Sequence, residues 1–226
     1  MAYTIEFVFE KWFKPFAIQK TVSKTPRQLE QKKREIFFSA LTSLIFAFFT
    51  PLLFLCWQNG WTKVYIDVND YPLWYMPISL ALAMLVHETY YYWLHRFMHL
   101  PRIYRWIHKV HHDSITNSVW TAFSFHPFEA LLQIAIFFPI IIFIPLHPFV
   151  IIIQLILMTI SSFINHLNIE VYRPVDGKWL IGATHHGLHH LSFKTNYGLY
   201  FTFWDKICRT EDKKYPALFR EKTSNI

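Results

Sequence analysis

Thirteen histidines stand in a chain of 226 residues, and they are not scattered. His95 and His99 lie four apart, so on a helix both imidazoles project from one face. His108, His111 and His112 repeat the three- and four-residue spacings, and His185, His186, His189 and His190 do so again. His166 stands by itself, with Glu170 one helical turn further on. Packing so many partly buried imidazoles together is costly unless something organises them, and the usual organiser is a metal. Eight or more imidazoles exceed what one tetrahedral zinc can use, so the count fits two metals with room for an exogenous molecule. Iron is the natural choice if the task is oxygen chemistry, because redox-inert zinc cannot activate dioxygen. Imidazole ligation alone excludes neither zinc nor copper. No His-Glu-x-x-His occurs, and no Ser or Cys nucleophile sits beside these groups.

The elements that must position these histidines are those of a membrane protein. Hydrophobic residues make up 53% of the chain and charged residues only 16%, against about 25% charged in ordinary soluble domains. Five glycines and the absence of GxGxxG or GxxxxGK[ST] leave a bound dinucleotide or nucleoside triphosphate without support. The formal charge of +7 could serve a nucleic-acid face. Here, though, Lys11, Lys14, Lys20, Lys24, Arg27, Lys32, Lys33 and Arg34 precede the first apolar run, which is the positive-inside pattern of a membrane protein. No nucleic acid is therefore expected as a partner. Cys56 and Cys208 give neither a disulfide framework nor a Cys-based zinc site.

The pattern predicts an all-α, polytopic membrane protein of one domain, 1–226, with about four transmembrane or re-entrant helices. Residues 1–35, with Phe7, Phe9, Trp12, Phe13 and Phe16 among lysines, read as an interfacial N-terminal segment. The first span, 36–57, carries no charge over 22 residues, roughly 33 Å as a helix. The second, 73–94, continues without a breaker into the first histidine pair. Segments 128–144 and 148–165 read as a helical hairpin turning at Pro145-Leu146-His147-Pro148, crossing the bilayer or re-entering it. Residues 95–126 and 166–226 then form a cytoplasmic, histidine-rich helical cap, with both termini and every histidine group except His147 on that side.

The words around the histidines resemble those of the sterol desaturase and fatty acid hydroxylase superfamily. Its members share a spaced histidine pair followed by two His-x-x-His-His motifs, matched here by His95/His99, His108/His111/His112 and His186/His189/His190. Tyr-Trp-Leu-His-Arg at the first pair, Trp-Ile-His-Lys-Val-His-His, Phe-His-Pro-Phe-Glu at 125–129, Asn-Tyr-Gly at 196–198 and Phe-Trp-Asp-Lys at 203–206 match as well. The likeness covers about residues 36–210 and is nearest to the sterol C-5 desaturases, which carry an acidic residue where Glu88 stands. Fatty acid 2-hydroxylases place a second histidine where this chain has Glu170, a departure that leaves the ligands around His166 open.

The resemblance implies a membrane-bound, non-haem di-iron oxidoreductase. Its metal ligands would be His95, His99, His108, His111, His112, His186, His189 and His190, with His166 as a further candidate. Glu88, His126 and Glu170 would orient imidazole N–H donors. His185 would be a ligand or flank the motif; His87 and His147 would not be ligands. Dioxygen would be the co-substrate. Electrons from NAD(P)H would arrive through a separate donor, such as a cytochrome b5-type or ferredoxin protein, because no haem domain is attached. The substrate would be a lipid of sterol or fatty acyl type, hydroxylated or desaturated at a C–H bond. The host membrane would be the endoplasmic reticulum in a eukaryote or the inner membrane in a bacterium. The residues leave two rivals: a zinc-dependent membrane hydrolase, which would need no oxygen, and a metal transporter or store, which would hold its ligands near the bilayer midplane.

Overall fold

The computed structural model describes residues 4, 29–173 and 176–223, and is helical with no extended strands among them. The expected interfacial segment lies outside the described residues except for Thr4 and 29–35. The latter form the first two turns of α1, Leu29–Gln58. α1 is longer than the apolar run because Leu29–Arg34 has no helix breaker. Pro51 sits inside it and removes one rung of the backbone ladder. In its most apolar 18-residue window only 11% is buried, so large side chains such as Leu44 and Phe48 point away from the protein. That is how a helix facing acyl chains looks.

α2, Tyr75–Met98, runs unbroken through His87 and Glu88 to His95, as its sequence predicts. Two short helices follow, α3 (Pro101–Trp106) and α4 (Lys109–His112), and a 3-10 turn at Thr121–Phe123. The expected 128–144 arm comes as two pieces, α5 (Pro127–Ala135) and α6 (Phe137–Phe143), broken at Ile136. Its return arm, α7, covers Pro148–Asn165. By length and composition, α1 and α7 are the two described helices able to cross a membrane. His147 caps α7, its Nδ1 accepting from Phe149 N–H, and its Nε2 lies 3.1 Å from the Ile66 carbonyl. The hairpin turn is thereby tied to the 58–72 connection, at the end of the bundle away from the other histidine groups.

The last part of the chain folds over the opposite end as α8 (Ala183–Ser192), α9 (Phe203–Ile207) and α10 (Tyr215–Thr223). The main apolar core is formed where α2 meets the hairpin, around Ala83, Ile140, Leu146 and Val150. At the other end of α1, the buried carboxylate of Glu35 accepts from Ser118 Oγ (2.9 Å) and Thr121 Oγ1 (3.1 Å). α1 is therefore pinned to the loop that follows the second histidine group.

Candidate metal centre

Nine imidazoles converge in two groups. His95, His99, His108, His112 and His189 form one; His111, His166, His186 and His190 form the other. Successive residues on a helix point about 100° apart, so the neighbours His111 and His112 go to different groups, as do His189 and His190. His186 and His190, one turn apart on α8, stay together. His166 follows the last turn of α7 and brings that helix into the second group.

The facing atoms are Nε2 throughout. In the first group the contacts are His95–His108, His108–His112 and His112–His189 at 3.1 Å each, and His189–His99 at 3.0 Å. In the second they are His111–His166 at 3.4 Å, His166–His186 at 3.0 Å and His186–His190 at 3.2 Å. Hydrogen bonding among imidazoles cannot satisfy this pattern. His108, His112, His189, His166 and His186 each present one Nε2 to two others, and a neutral imidazole nitrogen has one lone pair or one N–H. For His95, His189 and His166 the proton is moreover on Nδ1, donated to the carbonyls of Tyr197 (2.8 Å), Thr195 (2.7 Å) and Ser162 (2.7 Å). Their Nε2 atoms are bare lone pairs aimed at other nitrogens. A cation between them removes the conflict. At a metal–nitrogen distance of about 2.1 Å, neighbouring ligands stand about 3.0 Å apart in an octahedron and about 3.4 Å in a tetrahedron. The observed contacts fall in that interval.

Burial, reinforced by repulsion from neighbouring imidazoles, holds His108, His111, His112, His186, His189 and His190 well below the usual histidine value. Burial lowers His166 to about 4. All are therefore neutral at pH 7, the form that ligates metal. The donor set and its protonation fit a pair of metal ions.

The groups expected to orient imidazoles have other contacts. Glu88 accepts from the backbone N–H groups of Leu199 (3.1 Å) and Tyr200 (2.7 Å). Glu170 accepts from Val171 and Tyr172 N–H, and from Thr184 N–H (2.9 Å) in the first turn of α8. A Cβ on Gly182 would come within 2.6 Å of Glu170 Oε1, so glycine is what lets the carboxylate reach that helix end. His126 caps α5 by accepting from Phe128 N–H. His185 belongs to neither group; it packs on Tyr215 and lies 3.8 Å from Asp205.

The carboxylate that does meet an imidazole is Glu129, whose Oε1 lies 2.8 Å from His108 Nδ1, both side chains being buried. Asp205 also escaped the sequence reading. It accepts from Tyr197 N–H (2.9 Å) and Gly198 N–H (3.0 Å), fixing the segment whose Tyr197 carbonyl holds His95. Both residues stood inside matched words, Phe-His-Pro-Phe-Glu and Phe-Trp-Asp-Lys, and that was their only signal.

A cavity of ≈ 720 Å³ runs down from the second group into the bundle. His111 and His166 line its upper end, and Val64, Ile66 and Pro148 its lower end. Along α7 it extends from Pro148 to His166, roughly 27 Å of helix. Its walls are mostly aliphatic and aromatic, with Phe46, Leu53, Trp57, Leu155 and Met158 among them.

The comparisons with known proteins agree with this geometry. The chain is 30% identical over 228 residues to a Delta(7)-sterol 5(6)-desaturase of Aspergillus fumigatus, covering 90% of this chain and 70% of the relative. It is 30% identical over 214 residues to a lathosterol oxidase of Rattus norvegicus, covering 92% and 70%. Over 208 residues it is 29% identical to a second Delta(7)-sterol 5(6)-desaturase, from Gibberella zeae, of which it spans 63%. The chain is thus about two thirds as long as these relatives. No solved structure matches it. The family model described as fatty acid hydroxylase matches residues 80–210, a stretch that holds all nine converging histidines, and the chain belongs to that family.

Proposed function

We propose that this protein is a membrane-bound di-iron oxidoreductase that uses dioxygen and two electrons to hydroxylate or desaturate a C–H bond of a lipid. The observation that carries the reading is the placement of two clusters of Nε2 lone pairs at the end of a long apolar cavity. His95, His99, His108, His112 and His189 would hold one iron, and His111, His166, His186 and His190 the other. When bound, the irons supply the reduction of dioxygen and the oxidising power for an unactivated C–H bond. The chain's own groups do the positioning. The carbonyls of Tyr197, Thr195 and Ser162, with Glu129, keep Nδ1 protonated and turn Nε2 inward. Glu170 and Asp205 act one step further out, through the backbone. The apolar walls exclude water and align an extended lipid with the imidazoles His111 and His166.

The names of the relatives favour a sterol as the lipid. The membrane arrangement proposed is the expected one, with both termini and the nine imidazoles on the cytoplasmic side. It requires α2 to return across the bilayer beside α1 and the α5–α7 hairpin, although by length and composition only α1 and α7 qualify as crossings among the described residues. Electrons would come from a separate carrier, of the cytochrome b5 or ferredoxin kind. The test is lipid oxidation by iron-loaded protein supplied with a reductant, under air and under argon. Product in air alone supports the proposal. Turnover under argon without reductant would instead mark the zinc hydrolase.

A further inference from the structure

The cavity is not uniformly apolar. His87, 2% exposed, sits on α2 two helical turns below His95, roughly 12 Å along the axis, and lines the cavity. Its Nδ1 is 2.9 Å from the Tyr200 hydroxyl, and its ring packs between those of Tyr200 and Phe137, each 5.5 Å away. Its Nε2 has no partner among the described residues. Tyr200 is in turn fixed by the bond from its backbone N–H to the neighbouring Glu88. The imidazole is held on three sides and offers its remaining nitrogen to the cavity.

A second polar group lines the same cavity. Gln133, 9% exposed, lies one turn before Phe137, along the helix pair where Tyr90 donates its hydroxyl proton to the Leu132 carbonyl. Its carboxamide lines the cavity and has no hydrogen-bond partner among the described residues. Of the cavity's hydroxyls, Ser43, Thr50 and Thr159 return their protons to carbonyls of their own helices, while those of Tyr91 and Ser162, nearer the imidazoles, make no hydrogen bond among the described residues. A polar group facing an apolar cavity is destabilised unless something there hydrogen-bonds to it. His87 Nε2 and the Gln133 carboxamide, open to one apolar cavity and without partners among the described residues, point to a ligand that pairs with them.

We propose that His87 Nε2 and the Gln133 carboxamide form a hydrogen-bonding subsite for a hydroxyl group carried by an otherwise apolar lipid. Resting on the lipid-oxidation reading, this names the substrate class as a lipid alcohol that enters the cavity hydroxyl and all. A lipid whose polar head stays at the membrane surface would leave both groups unpaired. The subsite sits one helical turn below Glu129 at Gln133 and two below His95 at His87. It therefore sets how deep the lipid can seat before a C–H bond meets the imidazoles. His87 and Gln133 are specificity-determining residues in this account, with no part in holding metal.

The experiment is equilibrium binding of radiolabelled lipids to iron-loaded protein in detergent, with metal content measured on the same samples. Two pairs of probes differ by one hydroxyl: cholestanol against cholestane, and hexadecanol against hexadecane. The wild type should prefer the alcohol about tenfold in at least one pair, the size of one buried hydrogen bond. Which pair responds tells a ring alcohol from a chain alcohol. His87→Phe should bring the two members of that pair within about twofold while still binding the hydrocarbon and keeping its metal. Gln133→Leu, which leaves the His87–Tyr200 pair intact, should reduce the preference and serves if His87→Phe does not fold. Equal binding within both pairs by the wild type overturns the subsite but not the lipid cavity, and so does a preference unchanged in the variants. Binding of none of the four lipids overturns the lipid-oxidation reading as well.

Discussion

Replacing Glu129 by alanine removes the one carboxylate among the described residues in contact with an imidazole of the nine, 2.8 Å from His108 Nδ1. A buried hydrogen bond with a carboxylate acceptor contributes about 1.5–3 kcal/mol. At about 1.4 kcal/mol per decade, its loss weakens the ligand by about 10- to 150-fold. The range overlaps the 10- to 100-fold generally lost when the partner of a metal-bound histidine is removed. His108 belongs to the five-imidazole group alone, so the loss should fall on one metal. Glu129→Ala titrated with a competing chelator should release one iron per chain at chelator concentrations that leave the other bound, where the wild type keeps both. Glu129→Gln retains an acceptor oxygen and should lie between the two. The reasoning is refuted if Glu129→Ala holds both irons within twofold of the wild-type affinity. It is equally refuted if both irons are released together from protein that remains folded by circular dichroism.

Further expectations follow from the same contacts. Gly182→Ala puts a Cβ within 2.6 Å of Glu170 Oε1, so it should displace the carboxylate from the start of α8. A melting temperature lowered by several degrees, together with reduced iron content, would be the result, read by thermal unfolding and elemental analysis. Met158→Trp fills part of the cavity midway along α7, about two helical turns before His166. It should weaken lipid binding at least tenfold with iron content unchanged, and normal binding would place the lipid elsewhere. His189→Ala and His190→Ala, neighbours in sequence, each remove a ligand from a different group, so each alone should lower the affinity of one metal and leave the other.

Much of the site was legible in the sequence because helical spacing is a local property. The pairs His95/His99, His108/His112 and His186/His190 each fall on one helix face whatever the tertiary fold, and all nine expected ligands converge. The helix at 148–165 was legible for a similar reason: the segment is charge-free and bounded by Pro148 and His166, and α7 has those limits. What could not be read was anything set by contact across the chain. The division into five and four depends on how α4 and α8 are rotated against each other. Glu129 reaches His108 across a loop of 21 positions, while Glu88 and Glu170, nearer to histidines in sequence, turn to backbone amides. The break of the 128–144 arm at Ile136 has a signal in Pro139, which offers no N–H to the Ala135 carbonyl and crowds it with its ring, so that the turn just before the proline is the one disrupted.

The central claim is that the nine imidazoles hold two irons, and metal content tests it most directly. Protein expressed with iron and purified in mild detergent is analysed by elemental mass spectrometry beside the double variant His189→Ala, His190→Ala, which takes one ligand from each group. About two irons per chain in the wild type, lost in the double variant, is the predicted result. Less than one metal of any kind per chain, unchanged in the variant, would contradict the account.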